Sequence, residues 1–250
     1  FADIMNQVAQ KLGMTRTQFK NATGLPNEGH YTTAKDLSLL ARALIRDFPE
    51  HYKVYKEKYF SYNDIRQANR NSLLWRDDAV DGMKTGHTQA AGFCLVASAE
   101  KKELRLISVV MGATSERSRS TESQKLINYG FRYFESVKLY DGLESLKRVK
   151  VWGGLHESLD VGIEAPVQLT IPNGARGALA AEVTLDPVIK APVGHGQTLG
   201  LLRISLEGET LLERPVVALN AVDEAGFVSS LIDEVSLFFL SMFSGDPLAL

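Results

Sequence analysis

The sequence predicts an α+β chain in two parts, closed by an amphipathic segment. Two observations carry that reading. Helical apolar periods alternate with apolar strand runs as far as about residue 138, and from Leu139 the texture changes to short β-like runs broken by proline and glycine. The divisions expected are 1–138, 139–226 and 227–250.

The first helix follows from Phe1, Ile4, Met5, Val8, Ala9 and Leu12, which keep the 3.6-residue period, with Gly13 closing the run. It starts at full stride, with no initiator methionine or signal peptide ahead of it, which leads to the expectation of an upstream part. Residues 20–32 read as a loop, crowded with Asn21, Thr23, Gly24, Pro26, Asn27 and Gly29. Thr33 is the N-cap of a second helix that buries Leu37, Leu40, Ala41, Leu44 and Ile45 and stops at Asp47 and Pro49. Tyr59 to Asn69 reads as a strand turning near Asn63-Asp64. Phe93–Ala99 and Leu104–Met111 are apolar strands joined by the charged turn Glu100-Lys101-Lys102-Glu103. With the strand before them they form an antiparallel sheet. A helix from Ser115 or Ser118 carries Arg117 and Arg119 in its opening turns and buries Leu126, Ile127, Phe131 and Phe134.

In the second part, strands are expected over 148–152, 167–171, 180–185, 199–206 and 210–219, a spacing that suggests a small β-sandwich or barrel. In the last segment Leu231, Ile232, Val235, Phe238, Phe239, Met242 and Phe243 share one helical face. It is too short and too charged to span a bilayer. A helix docked on the second part or a dimer seam explains the same face. The terminal position and the three phenylalanines favour a membrane surface, held by apolar burial alone because the polar face is acidic.

Composition narrows the function. A net charge of −2 advertises no basic face for nucleic acid. Cys94 is the only cysteine, so no intrachain disulfide forms; its alternating run reads as a buried structural thiol. His30, His51, His87, His156 and His195 are scattered without metal-ligand spacing, and no metal or other cofactor is expected.

The chemistry concentrates in Val80-Asp81-Gly82-Met83-Lys84-Thr85-Gly86-His87-Thr88. A cation, a hydroxyl and a glycine in a row, beside an apolar strand pair, suit an anionic peptide end laid against a strand edge. Lys-Thr-Gly alone arises by chance in roughly one chain of this length in twenty. Gly82 before it and His87-Thr88 after it raise its weight. The tripeptide is one of three elements of penicillin-recognising serine enzymes, with S-x-x-K and S-x-N. Ser98-Ala99-Glu100-Lys101 and Ser61-Tyr62-Asn63 match those patterns formally but sit in a strand-to-turn junction and a hairpin. The nucleophile needs a helix start that sets serine and lysine one turn apart.

These runs, with Tyr55-Lys56-Glu57-Lys58, Asn69-Arg70-Asn71, Leu73-Leu74-Trp75, Leu95-Val96-Ala97-Ser98-Ala99 and Arg105–Gly112, resemble the D-alanyl-D-alanine carboxypeptidases, the low-molecular-mass penicillin-binding proteins. The resemblance extends through Val167–Pro172 and Arg214-Pro215-Val216-Val217 to the terminal helix. It implies the C-terminal portion of a β-lactamase/transpeptidase-like catalytic domain, a small all-β domain and a C-terminal amphipathic anchor. It implies a periplasmic enzyme, peripheral on the outer face of the bacterial inner membrane. That enzyme trims the terminal D-alanine from peptidoglycan stem peptides ending in D-Ala-D-Ala, through an acyl-enzyme, and β-lactam antibiotics label it. The nucleophilic serine and its partner lysine would lie upstream of residue 1. By the same resemblance Lys84 would stabilise charge and assist proton transfer, and Thr85 would hold the substrate carboxylate. The His87 N–H would form half of an oxyanion hole. Gly86 and Thr88 would line the substrate edge, and Arg119 would bind the carboxylate. Arg70 would brace the site and Thr23-Gly24-Leu25 would form a wall. Arg117 is the rival to Arg119, and a plain surface arginine in an Arg-Ser repeat is the alternative to both. A β-lactamase, or a non-catalytic peptidoglycan- or β-lactam-binding module, are the competing functions.

Overall fold

The computed structural model describes residues 1–226, so the amphipathic segment expected over 227–250 lies outside the described residues. The chain divides into two compact units, Phe1–Glu135 and one that begins at Ser136.

In the first unit, α1 (Ala2–Lys11) gives way at Gly13, whose φ of 80° is the left-handed conformation of a helix stop. Its periodic face is largely exposed. Phe1 is 82% exposed, Ile4 and Val8 are exposed, and only Ala9 of the helix is buried. Polar ties hold it instead: Asn6 Nδ2 donates to the Phe19 carbonyl and Asn6 Oδ1 accepts from the Phe19 N–H. α2 (Ala34–Asp47) begins as expected, with the Thr33 hydroxyl accepting from the Asp36 N–H. The Asp36 carboxylate is itself buried. It takes the Thr17 hydroxyl at 2.7 Å and the Arg16 N–H at 2.8 Å, which hold it below the usual carboxylate range. Leu40 is exposed rather than buried. Pro49 opens the short α3 (Pro49–Tyr52), where its missing N–H matters least.

β1 (Tyr59–Tyr62) and β2 (Ile65–Ala68) form a hairpin whose turn residues, Asn63 and Asp64, both have positive φ. β3 (Val80–Thr88), β4 (Gly92–Lys101) and β5 (Leu104–Ala113) form a three-stranded antiparallel sheet in the order β3-β4-β5. Lys102 and Glu103 make the tight turn between the last two, again with positive φ. Strand alternation gives this sheet two apolar faces. Leu95, Ala97 and Ala99 pack with Leu73, Val80 and Ile127 on one. Met83, Val96 and Ile107 meet Ala41 and Tyr52 on the other. α4 (Glu116–Tyr133) is capped by Ser115, whose hydroxyl accepts from the Ser118 N–H. Its buried face is Arg119, Ser120, Ser123, Ile127 and Gly130, and Leu126 is exposed, contrary to expectation. Small residues make the contact: a Cβ at Gly130 would collide with Leu106 of β5, so the helix lies close on the sheet.

β6 (Phe134–Tyr140) follows without a break, then β7 (Ser145–Lys150), β8 (Ser158–Gly162), β9 (Val167–Pro172), β10 (Leu179–Leu185), β11 (Thr198–Leu206) and β12 (Glu209–Ala218). Five strands pair in the order β10-β11-β12-β8-β7, and β6 pairs with β9. The core centres on Val161, Leu202, Ile204 and Val216. β6 and β8 had no counterpart in the sequence reading, and β7 starts three residues early.

Candidate active site

The Lys-Thr-Gly run lies on β3, an edge strand, so one side of its backbone is unpaired within the sheet. The strand is fixed before the motif from two directions. On one, the buried Asn71 Nδ2 donates to the Gly82 carbonyl at 2.8 Å. On the other, Tyr52 stands so close that a Cβ at Gly82 would fall inside contact distance of its hydroxyl oxygen and 3.0 Å from its Cζ. Glycine at 82 is therefore a packing requirement. The Tyr52 hydroxyl donates to Asp81 Oδ1 at 3.0 Å, and Arg105 Nη1 donates to Asp81 Oδ2 at 2.7 Å and to Ser98 Oγ at 2.8 Å. Burial, and then the neighbouring Asp81 charge, push the Tyr52 phenol well above its ordinary range, so it stays a neutral donor.

Along the motif, the Lys84 side chain is exposed and its ammonium donates to the Thr85 carbonyl at 2.6 Å. Thr85 is half-buried and Gly86 is exposed. His87 is exposed, with its ring stacked on Phe93 at 3.9 Å. The Thr88 hydroxyl accepts from the Ala91 N–H and shapes the turn into β4. An open hollow of about 410 Å³ borders this end of the strand, lined by His87, Thr88, Phe93, Gly112 and Thr114 among others.

Of the two candidate arginines, only Arg119 reaches the motif strand. Arg117 is exposed, whereas Arg119 is 2% exposed. Its Nη1 donates to the Gly86 carbonyl at 3.3 Å, and its Nη2 to the Arg70 carbonyl at 3.5 Å and to Glu116 at 3.3 Å. Its guanidinium carbon sits 5.7 Å from the centroid of Phe93. Nε is buried with no acceptor. Three long bonds and an orphan donor leave this cation under-satisfied, which suits it to an incoming anion. The Arg70 side chain is exposed; what it offers the cluster is its backbone carbonyl. Thr23-Gly24-Leu25 is ordered by Asn21, whose Oδ1 accepts from the Thr23 and Gly24 N–H groups, and Leu25 stands exposed at its tip.

The two formal serine patterns are structural. Ser98 is fully buried in β4 under Arg105, and Ser61 lies on the exposed β1. Cys94 is half-buried rather than buried, its thiol directed to the Ala91 carbonyl. Sequence reasoning assigned no role to Asn71, Tyr52, Asp81, Arg105 and Phe93, because the partners of these side chains lie far along the chain or across the sheet.

Residues 1–115 match the profile of the D-alanyl-D-alanine carboxypeptidases, and residues 134–224 that of the penicillin-binding protein 5 C-terminal domain. The D-alanyl-D-alanine carboxypeptidase DacD from Francisella tularensis has a solved structure that is 34% identical, with a TM-score of 0.63, over 90% of this chain and 68% of that one. The chain belongs to the D-alanyl-D-alanine carboxypeptidase family. It is also 42% identical to D-alanyl-D-alanine carboxypeptidase DacC of Escherichia coli K12, over 97% of this chain and 61% of that protein. Penicillin-binding protein 5 from Haemophilus influenzae shares its architecture with a TM-score of 0.81 and 38% identity, over 89% of this chain and 66% of that one. The chain spans about three fifths of the length of the curated relatives it matches. Among the described residues no helix is long and apolar enough to cross a membrane.

Proposed function

We propose that this chain supplies the substrate-gripping edge of a serine-type D-Ala-D-Ala carboxypeptidase. The observation that carries the reading is the buried, under-satisfied Arg119 guanidinium held against Gly86 of the Lys-Thr-Gly edge strand. Family membership supports the reaction class. The peptide tail would lie along β3 as an added strand, close to the backbone because Gly86 has no side chain. Its terminal carboxylate would take the Thr85 hydroxyl and the free donor capacity of Arg119. A serine activated by a lysine, both expected upstream of residue 1, would attack the penultimate D-alanine carbonyl. The His87 N–H and the serine's own N–H would hold the oxyanion, and a lost donor of this kind costs on the order of 3 kcal/mol. Lys84 would supply positive charge beside the reacting carbonyl. The C–N bond breaks, free D-alanine leaves, and water then hydrolyses the serine ester. A β-lactam would enter by the same attack, its ring amide opening with no leaving fragment.

We read residues 1–138 as the C-terminal portion of the catalytic domain and 139–226 as the β-rich second domain. The break after Glu135 and the second profile's start at residue 134 support that division. We read 227–250 as a membrane-surface anchor on its sequence pattern, and the family resemblance implies the periplasmic side of the inner membrane.

The test is covalent labelling of the complete protein, upstream residues included, with a fluorescent penicillin. Stable labelling that decays slowly is expected. Release at tens per second would assign a β-lactamase instead, and absence of any label would leave a binding module.

A further inference from the structure

We infer that Asn71 is a positioning residue: its side chain sets the Lys84–Gly86 segment of β3 relative to the guanidinium of Arg119. The inference rests on the carboxylate-gripping role proposed for Arg119.

Asn71 is a polar side chain only 1% exposed, and both ends of its amide are used. Nδ2 donates to the Gly82 carbonyl, two residues before Lys84. Oδ1 accepts from the Leu73 N–H at 3.2 Å, and the Asn71 N–H donates to Asn69 Oδ1 at 2.9 Å. Asn69 in turn donates to the Tyr55 and Glu57 carbonyls, so the 69–71 turn is fixed to the segment that follows α3. The residue between them, Arg70, gives its carbonyl to Arg119 Nη2, while Nη1 of the same guanidinium sits on the Gly86 carbonyl. One planar cation therefore spans two backbones, the 69–71 turn and β3. The Asn71 side chain is the direct tie between those two backbones.

Those two guanidinium bonds are long, at 3.3 and 3.5 Å, so they hold the arginine weakly by themselves. The short amide bond at Gly82 provides the firm reference. A strand rises about 3.3 Å per residue, so the tie acts within roughly 13 Å of Gly86 along a rigid element. Without it, the 69–71 turn and the motif strand can drift apart. The distance between the Thr85 hydroxyl and the Arg119 donors then drifts with them, which blurs a two-point grip on a carboxylate.

The experiment compares two acyl donors on the complete enzyme: a peptide ending in D-Ala-D-Ala, with its free carboxylate, and a thioester of the same acyl group whose leaving part carries none. Asn71→Asp is nearly isosteric, keeps the acceptor for Leu73 and sets an oxygen against the Gly82 carbonyl. Asn71→Ser, smaller and uncharged, carries the same comparison should aspartate not fold. The expected result is a loss of about tenfold in kcat/KM for the carboxylate substrate, with a clearly smaller fall for the thioester, which shares Lys84 and the oxyanion donors but not the carboxylate grip, and the thermal midpoint recorded alongside. Arg119→Ala is the reference and should erase the same preference. An equal fall for both donors, or an intact preference in both Asn71 variants while Arg119→Ala loses it, overturns the positioning role alone. An intact preference in Arg119→Ala overturns the carboxylate grip itself, and this inference with it.

Discussion

Gly82→Ala should destabilise the first unit through one identifiable collision. The added methyl would fall inside contact distance of the Tyr52 hydroxyl oxygen and 3.0 Å from its Cζ. Tyr52 is buried in a cluster with Ala41 and Met83 that Leu44 and Val96 also pack against, so the ring has little room to withdraw. Overpacking of this kind costs about 1–3 kcal/mol. Displacing the hydroxyl also breaks its bond to Asp81, for about 1.5 kcal/mol more, since the acceptor is charged. Restriction of the unfolded chain returns roughly 0.5–1 kcal/mol. The net expectation is a loss of about 1.5–4 kcal/mol. Tyr52→Phe alone should cost about 1–2 kcal/mol, because Asp81 keeps Arg105. In the double variant the oxygen that causes the worst contact is gone, so the losses should fall short of their sum by at least about 1 kcal/mol. The assay is urea unfolding followed by Trp75 fluorescence, with Trp152, the chain's other tryptophan, replaced by phenylalanine. Strict additivity of the two losses would falsify the argument that Gly82 exists to admit Tyr52.

Three further outcomes are expected. Lys84→Ala should cut acylation of the complete enzyme by a penicillin on the order of a hundredfold or more, yet leave the unfolding midpoint unchanged because the side chain is exposed; wild-type acylation would remove Lys84 from the mechanism. Asp36 has its folded-state pKa lowered, first by the Thr17 hydroxyl and also by the Arg16 N–H, so the stability it contributes is present above its ordinary value of 3.8 and is lost as pH falls through the lower folded value. Midpoints measured from pH 6 down to pH 2 should converge for wild type and Asp36→Asn at the acid end and diverge above pH 4; parallel curves would refute the assignment. In the second unit, Gly200→Ala would drive a methyl into the Thr184 carbonyl and to 2.8 Å from Leu185 Cδ2, so the transition reported by Trp152 should lose about 2–4 kcal/mol; an unchanged midpoint there would show that the strand pair can relax.

How far the sequence could be read depended on how local each signal was. The caps at Thr33 and Ser115, the turns at Asn63-Asp64 and Lys102-Glu103, and the three strands around the motif each rest on residues within a few positions of one another. β6 was missed because it follows α4 with no punctuating residue, and β8 because its five residues include Asp160 and Gly162. α4 was assigned the wrong contact at Leu126 because its close approach to the sheet is made by Ser123 and Gly130, residues that carry no hydrophobic signal. On α1 the apolar period was legible but its face is largely exposed, since periodicity describes one helix and burial needs a second surface.

The chain order alone put a cation, a hydroxyl and a glycine in succession on a strand, because neighbours in sequence are neighbours along a strand whatever the rest of the fold does. Tertiary structure decided which arginine reaches that strand, since Arg119 and Gly86 are 33 residues apart and the reach of Arg117 differs only in helical phase. It also decided why Gly82 must be a glycine, through Tyr52, and what fixes the strand's position, through Asn71. Those are contacts between surfaces that meet only when helices and sheet have packed, and no local run of residues encodes their distances.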